Sequence, residues 1–225
     1  HIEAYKAAGV PVIGVCSRMR EGALKKIQEC GIEATAYEDV HELLHRDDID
    51  VVSICSPPEE HAWQTIVAAR AGKHLAIEKP VALNRRELMD ICEAVDRSGV
   101  CTIVGFVLRW NDLMERIKRD YLRLLGDIFY IETDYWHGSW HGKPHTAHEY
   151  GTRMRSISAF LGGGCHAVDM ARFLLESDIV EVQARTPDRS DPQHTTVAMV
   201  TFANGAVGKI SATDAVFMPY WFNMQ

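Results

Sequence analysis

The first 105 or so residues alternate short apolar runs with amphipathic helical patterns, and this alternation most constrains the fold. Strands that alternate with helices predict a parallel sheet with right-handed crossovers. Ligands of such sheets bind beyond the carboxyl ends of the strands, so the residues that follow each strand are site candidates. These are Ser17-Arg18, Ser56-Pro57-Pro58, Glu78-Lys79-Pro80 and the residues after Phe106.

The pattern changes after about residue 125. An alternating strand over 127–136 is followed by a loop-like stretch, a helix over 163–175, and strands at 180–185, 195–202 and 206–212. Ala203-Asn204-Gly205 predicts a hairpin between the last two strands. The sequence therefore predicts an α/β domain over 1–107 and an α+β domain over 108–225, with 108–125 as a connecting helix.

Composition excludes several classes of protein. With 31 acidic and 24 basic residues the net charge is −7, whereas nucleic-acid binders usually carry a basic surface. The longest apolar run, 100–108, is about half the ~18 residues of a membrane span. Six cysteines without a C-x-x-C pair favour reduced thiols in a cytoplasmic protein over a disulfide framework or zinc site. We expect neither a membrane nor a nucleic-acid partner.

Lys79 directly follows a buried strand, where a lysine can direct its ammonium group at a substrate oxygen or a cofactor. Partial burial would lower its pKa into a useful range. The alternative is a surface Lys-Glu turn stiffened by Pro80. Position alone does not decide between the two.

His166 begins an apolar helix after Gly162-Gly163-Gly164, and Asp169 lies three residues further on the same helix face. A carboxylate there would orient the imidazole of a general base. The alternative is a core histidine at a glycine-relaxed helix start. The glycines do not spell G-x-G-x-x-G, so a dinucleotide fingerprint at this position is weak.

Four histidines, His137, His141, His145 and His148, would share one face of a helix. Gly138, Gly142 and Pro144 disfavour a helix there, so we predict a polar loop and no metal site.

Together the motifs resemble the glucose–fructose oxidoreductase / inositol dehydrogenase / rhizopine-catabolism (Gfo/Idh/MocA) family. The resemblance rests on motifs in the family's order: His1-Ile2-Glu3-Ala4-Tyr5, residues 50–61, the run 71–80 that ends in Glu78-Lys79-Pro80, Gly105-Phe106 with Arg109, Gly164 to Asp169, and Phe202 to Ala206. It implies a Rossmann domain, an open-faced antiparallel sheet and a nicotinamide cofactor. It also implies sugar, cyclitol or related polyol substrates, and a homodimer or homotetramer formed through the open sheet face.

The resemblance also implies roles for individual residues. Lys79 would be the active-site lysine and His166 the catalytic histidine, while the helical spacing adds Asp169 as the group that orients His166. The cofactor would contact Ser17, Arg18, Ser56, Pro57, Glu59, His61, Glu78 and Lys79. Arg109 is a substrate candidate, as are Trp136 and Trp140, because aromatic faces suit a polyhydroxylated substrate, although they equally suit a subunit contact.

The chain departs from the family pattern at several places. Many members carry an aspartate four residues before the histidine, and this chain has Gly162 there. The Gly-rich loop is not found either. We therefore expect the first βα unit of the Rossmann domain and the end of the second sheet to be incomplete in this chain.

The cofactor has a local signal. NAD binders typically place an acidic residue after the second strand, and here Cys16-Ser17-Arg18 contains none. A hydroxyl and a guanidinium suit a 2′-phosphate, so the sequence favours NADP over NAD.

The leading functional prediction is reversible hydride transfer between this cofactor and a carbon that bears a hydroxyl. Two alternatives remain open: elimination or glycoside cleavage assisted by a tightly held cofactor, and a non-catalytic dinucleotide sensor.

Overall fold

The computed structural model describes residues 1–138, 157–187 and 195–216, with the side chains of 137–138 and 214–216 left aside. The chain divides into two compact units, His1–Gly105 and Phe106–Gln225. Among the described residues, no helix combines the length and apolar character needed to cross a bilayer.

The first unit alternates helices and strands as predicted. Its elements are α1 (Ile2–Ala7), β1 (Gly14–Cys16), α2 (Arg20–Cys30), β2 (Thr35–Tyr37), α3 (Val40–Leu44), β3 (Val51–Ile54), α4 (Pro58–Arg70), β4 (His74–Ile77), α5 (Arg85–Ser98) and β5 (Thr102–Val104).

The helix ends of this unit follow local signals. Gly31 ends α2 with φ +58°, a left-handed conformation that favours glycine. Asn84 caps α5 by accepting from the Glu87 backbone N–H at 3.0 Å, and the Glu87 carboxylate accepts from the Leu83 backbone N–H at 2.9 Å. This differs from the capping box that the Asn84–Glu87 spacing predicts in one respect, since the Glu87 carboxylate accepts from the residue before the N-cap.

All strand pairs in the first unit are parallel. β1 pairs with β2, while β3, β4 and β5 form a second sheet in that order. One hydrophobic core lies between these strands and the helices; it includes Ile54, Ala69, Leu75 and Ile77. The predicted α/β class of this unit is confirmed, and its parallel strands end on the loops named above as site candidates.

The second unit begins with consecutive helical segments of different types over most of the range 108–125, for which a connecting helix is predicted. They are a 3₁₀ turn (Val107–Trp110), α6 (Asp112–Arg116), a π turn (Ile117–Tyr121) and a second 3₁₀ turn (Leu122–Leu124). The rest comprises β6 (Tyr130–Gly138), a π turn (Phe160–Gly164), α7 (Cys165–Leu175), β7 (Ile179–Arg185), β8 (Thr195–Phe202) and β9 (Val207–Val216).

The sheet of the second unit has the order β6-β9-β8-β7. β7, β8 and β9 are antiparallel neighbours, and the predicted hairpin joins β8 to β9. β6 pairs with β9 in parallel, so the sheet is mixed and the prediction of an antiparallel sheet is corrected. The reason is topological: β6 and β9 lie far apart in the chain and meet at a position that no local turn dictates.

One face of this sheet packs against α7 and the π turn before it. Ala198, Val200, Phe202 and Ile210 supply its core together with residues of α7. The opposite face carries exposed side chains, among them Val197 and Met199.

Candidate active site

The carboxyl end of β1 carries Ser17 and Arg18. The Ser17 backbone N–H donates to the Tyr37 carbonyl at 3.1 Å, which continues the strand pairing by one step. A Cβ at Gly22 would lie 2.8 Å from Ser17 Oγ, so the absent side chain at 22 lets the hydroxyl rest on the first turn of α2. Arg18 is exposed beside it.

The carboxyl end of β3 continues into Ser56, Pro57 and Pro58, which start α4. Ser56 Oγ donates to Gln64 Oε1 at 2.7 Å, and this bond ties the loop to the helix that follows. Pro57 is half-buried and Glu59 is exposed in the first turn of α4.

His61 lies in the same turn of α4, but its ring is buried. Nδ1 lies 2.8 Å from the Pro80 carbonyl oxygen and Nε2 lies 2.8 Å from the Ser56 carbonyl oxygen. Only 1% of the residue is exposed. Both ring nitrogens therefore face backbone carbonyl groups, and the ring has almost no exposed surface in this unit for the predicted contact with the cofactor.

The carboxyl end of β4 carries Glu78 and Lys79. One Glu78 oxygen accepts from the Lys79 backbone N–H at 3.2 Å, and the other lies 2.9 Å from His1 Nε2. A Cβ at Gly105 would lie 3.0 Å from Glu78 Oε1, so the carboxylate sits against bare backbone. Lys79 is half-buried, and its peptide bond to the buried Pro80 is cis.

His166 in the second unit lies in the first turn of α7 and is 8% exposed. The Tyr135 ring stacks on it at 6.3 Å and 27°, and the Phe106 ring meets it edge-on at 6.0 Å. Burial raises the pKa of Tyr135. Sequence reasoning did not select Tyr135, although the alternation of β6 places it on the face that α7 covers.

Asp169, one turn after His166, forms an ion pair with Arg109. Nε and Nη2 of Arg109 donate to the two Asp169 oxygens at 2.8 and 2.6 Å, and these bonds raise the pKa of Arg109. The guanidinium also lies 5.2 Å from the centre of the Phe173 ring. Sequence reasoning gave Asp169 to His166 and Arg109 to substrate. In the structure these two residues are joined to each other.

Trp136 follows Tyr135 on β6, so it lies on the opposite face of the sheet from α7. It is 61% exposed, and its Nε1 donates to Ser211 Oγ at 3.2 Å. The structure therefore does not bring Trp136 to His166. Trp140, the second predicted substrate contact from this region, lies outside the described residues.

The described residues contain no group of three or more side chains suited to hold a metal ion. The side chain of His137, and all of His141, His145 and His148, lie outside the described part of the chain.

Comparison with known proteins covers both units. Residues 1–106 match the family model described as oxidoreductase family, NAD-binding Rossmann fold, and residues 123–225 match that of the GFO/IDH/MocA C-terminal domain. The chain belongs to the Gfo/Idh/MocA oxidoreductase family. The two units that hold the candidate residues are thus the two halves that define Gfo/Idh/MocA proteins.

Individual relatives agree with this assignment. The chain is 28% identical to a myo-inositol 2-dehydrogenase of Thermotoga maritima over 93% of this chain and 63% of that protein. It is 29% identical to a scyllo-inositol 2-dehydrogenase (NAD(+)) of Bacillus subtilis over 91% and 60%. The structure of a levoglucosan dehydrogenase in complex with NADH and levoglucosan superposes with a TM-score of 0.84 at 27% identity, covering 96% of this chain and 63% of that one. The chain thus spans about 60% of the length of these relatives.

We predict that Arg109→Gln lowers the free energy of unfolding by about 2–3 kcal/mol, because it leaves the Asp169 carboxylate buried without its partner. Only 5% of the Asp169 side chain is exposed. Urea unfolding of the full-length protein measures this. The double variant Arg109→Gln with Asp169→Asn recovers part of the loss.

The matched control is Arg172→Gln, because Arg172 lies on α7, the helix that carries Asp169. Arg172 pairs with Asp178, but both side chains are largely exposed, at 47% and 74%. Loss of this ion pair lowers the free energy of unfolding by at most about 1 kcal/mol. Equal losses for the Arg109 and Arg172 variants contradict the assigned importance of the buried pair.

Proposed function

We propose that the full-length protein is a nicotinamide-dependent dehydrogenase that acts on a hydroxyl-bearing carbon of a cyclitol, sugar or related polyol. The observation that carries the proposal is His166, a buried histidine stacked on Tyr135 at a helix start in a Gfo/Idh/MocA C-terminal domain. The inositol dehydrogenases and the levoglucosan dehydrogenase among its relatives supply the substrate class.

The strand ends of the first unit fit a dinucleotide. Ser17 and Arg18 supply a hydroxyl and a guanidinium, and the close approach at Gly22 leaves the start of α2 beside them. Ser56, Pro57, Glu59, Glu78 and Lys79 follow the parallel strands β3 and β4, and we assign them to the ribose and nicotinamide side. When bound, the cofactor supplies the hydride chemistry.

The chain's own residues manage the proton and the charge. In this proposal His166 accepts the hydroxyl proton during oxidation and returns it during reduction. Lys79 holds the same oxygen and stabilises the negative charge that develops on it. The rings of Tyr135 and Phe106 shield the imidazole from water, which strengthens these electrostatic interactions.

Asp169 has an indirect part in this scheme. Its carboxylate is bound at both oxygens by Arg109, so the pair fixes the first turn of α7 and with it the position of His166. We assign both to positioning.

We expect Lys79→Ala and His166→Ala each to lower kcat at least about 100-fold, since each removes a group that acts in the transition state. The test uses full-length protein and follows nicotinamide absorbance with a panel of cyclitols, sugars and sugar acids.

Lys25→Ala on α2 and His41→Asn on α3 serve as controls, because both replace exposed residues of the same types. If the Lys79 and His166 variants have kcat values like those of these controls, the assigned roles are wrong.

We further propose that the cofactor is NADP. The carboxyl end of β1 leads into Ser17 and Arg18, neither of which is acidic, and Arg18 is exposed. We expect wild type to show the higher kcat/KM with NADP⁺. Arg18→Ala should lower kcat/KM for NADP⁺ about 10- to 100-fold, as for a lost charge-assisted hydrogen bond, with little change for NAD⁺.

The control is Arg97→Ala on α5, whose side chain is 79% exposed. A strong preference of the wild type for NAD⁺, as in the name of the Bacillus subtilis relative, would reject the NADP proposal and leave the dehydrogenase proposal standing.

We also propose a homodimer or homotetramer formed through the open sheet face, where Val197 and Met199 are 38% and 49% exposed. Met199→Glu places a charge on this face and should shift the full-length protein to a smaller mass in light scattering. Val182→Glu is the control: Val182 is 59% exposed but pairs with the buried Val200, on the other face. Unchanged mass for Met199→Glu contradicts this interface.

The cysteines support a cytoplasmic location, which we propose as well. All six lie within the described residues and each is a free thiol.

A further inference from the structure

We infer that His61 is a positioning residue that joins the two loops carrying Ser56 and Lys79. The inference goes beyond the roles assigned above, because it gives His61 no contact with cofactor or substrate. Its kinetic consequences rest on the proposed function, whereas its structural consequence does not.

The geometry of His61 is that of a bridge between two strand ends. Its ring lies 2.8 Å from the Ser56 carbonyl oxygen, which follows β3, and 2.8 Å from the Pro80 carbonyl oxygen, which follows β4. These are the loops that hold the predicted cofactor and substrate groups of the first unit. β3 and β4 are already paired through their full length, so His61 extends their connection past the last strand residues.

The chemistry of the two contacts is specific to histidine. A carbonyl oxygen accepts but never donates, so each contact is a full hydrogen bond only when the facing ring nitrogen carries a hydrogen. The two nitrogens lie on opposite sides of the ring, and therefore one side chain serves two loops. In the neutral ring only one nitrogen carries the hydrogen, so the two tautomers donate to the Pro80 and Ser56 carbonyl oxygens in turn.

Burial makes the bridge strong. The ring is 1% exposed, so water does not replace a lost bond, and each carbonyl left without a donor bears its own desolvation cost. Ser56 has a second tie through its hydroxyl to Gln64, while the Lys79 turn has its tie to α4 through the Pro80 carbonyl. The Ser56 loop therefore keeps one hydrogen bond to α4 when its contact with His61 is lost.

The two ring nitrogens can be tested separately. The amide nitrogen of asparagine reaches the place of Nδ1, and that of glutamine reaches the place of Nε2. His61→Asn thus keeps the bond to Pro80 and loses the bond to Ser56. His61→Gln keeps the bond to Ser56 and loses the bond to Pro80, and His61→Phe loses both.

Hydrogen–deuterium exchange of the full-length protein measures the local stability of the two loops that His61 joins, without reference to activity. We expect His61→Gln to speed exchange about tenfold in peptides over 78–84 and to leave 55–60 near wild type. His61→Asn should reverse this pattern with a smaller change, and His61→Phe should speed both segments.

Steady-state kinetics of the same variants measure how the loss of each bond affects kcat and the cofactor KM. His61→Gln should lower kcat about tenfold with the cofactor KM within about twofold, since it frees the Lys79 turn. His61→Asn should raise the cofactor KM with kcat within about twofold. A merely structural role would lower thermal stability alike in both variants without this split.

The control is Thr65→Val, one turn further on the same helix. Thr65 is fully buried, and its hydroxyl has no hydrogen-bond partner among the described residues. Its replacement should change neither exchange nor kinetics.

Exchange that is unchanged in all three His61 variants, or that rises equally in both segments for Asn and Gln, overturns the inference. The segment-specific exchange pattern without the kcat and KM split overturns its catalytic consequence. If the wild type binds cofactor but oxidises no polyol, the proposed function is wrong. The exchange results still test whether His61 joins the two loops.

Discussion

The position of His166 depends on how closely a helix start can approach a β-sheet. A Cβ at residue 163 would lie 2.0 Å from Tyr135 Cε1, and one at 164 would lie 2.7 Å from the Ala212 Cβ. Neither distance is sterically possible, so only glycine lets the π turn rest on β6 and β9. The same region places the Tyr135 ring centre 6.3 Å from that of His166, with 27° between the ring planes. The glycine run is thus a packing device, and it carries the geometry from which the proposed proton transfer follows.

Local signals made much of the fold predictable, whereas long-range pairing did not. Gly31, the Asn84–Glu87 cap and the hairpin at Asn204 act within a few residues, so their sequences specify them directly. The pairing of Arg109 with Asp169 spans 60 residues, and the parallel pairing of β6 with β9 spans more. Such contacts depend on where whole elements pack. For the same reason the sequence could suggest which loops carry the site but not that His61 joins two of them.

The Asp169 carboxylate, one turn after His166, is paired at both oxygens with the Arg109 guanidinium. Among the described residues of this unit, the rings of Tyr135 and Phe106 lie beside His166. An imidazole in such surroundings interacts more strongly with a nearby charge than it would in water, since the local dielectric is low.

The two hydrophobic cores are built from separate stretches of chain, one from residues 13–100 and the other from residues 128–210. Substitutions that reshape β6 or the π turn therefore change packing in one core only. Over evolutionary time, a lineage can alter the half that carries His166 while the half that matches the NAD-binding Rossmann model keeps its internal packing. Such independence is one physical route by which a single architecture acquires many substrates.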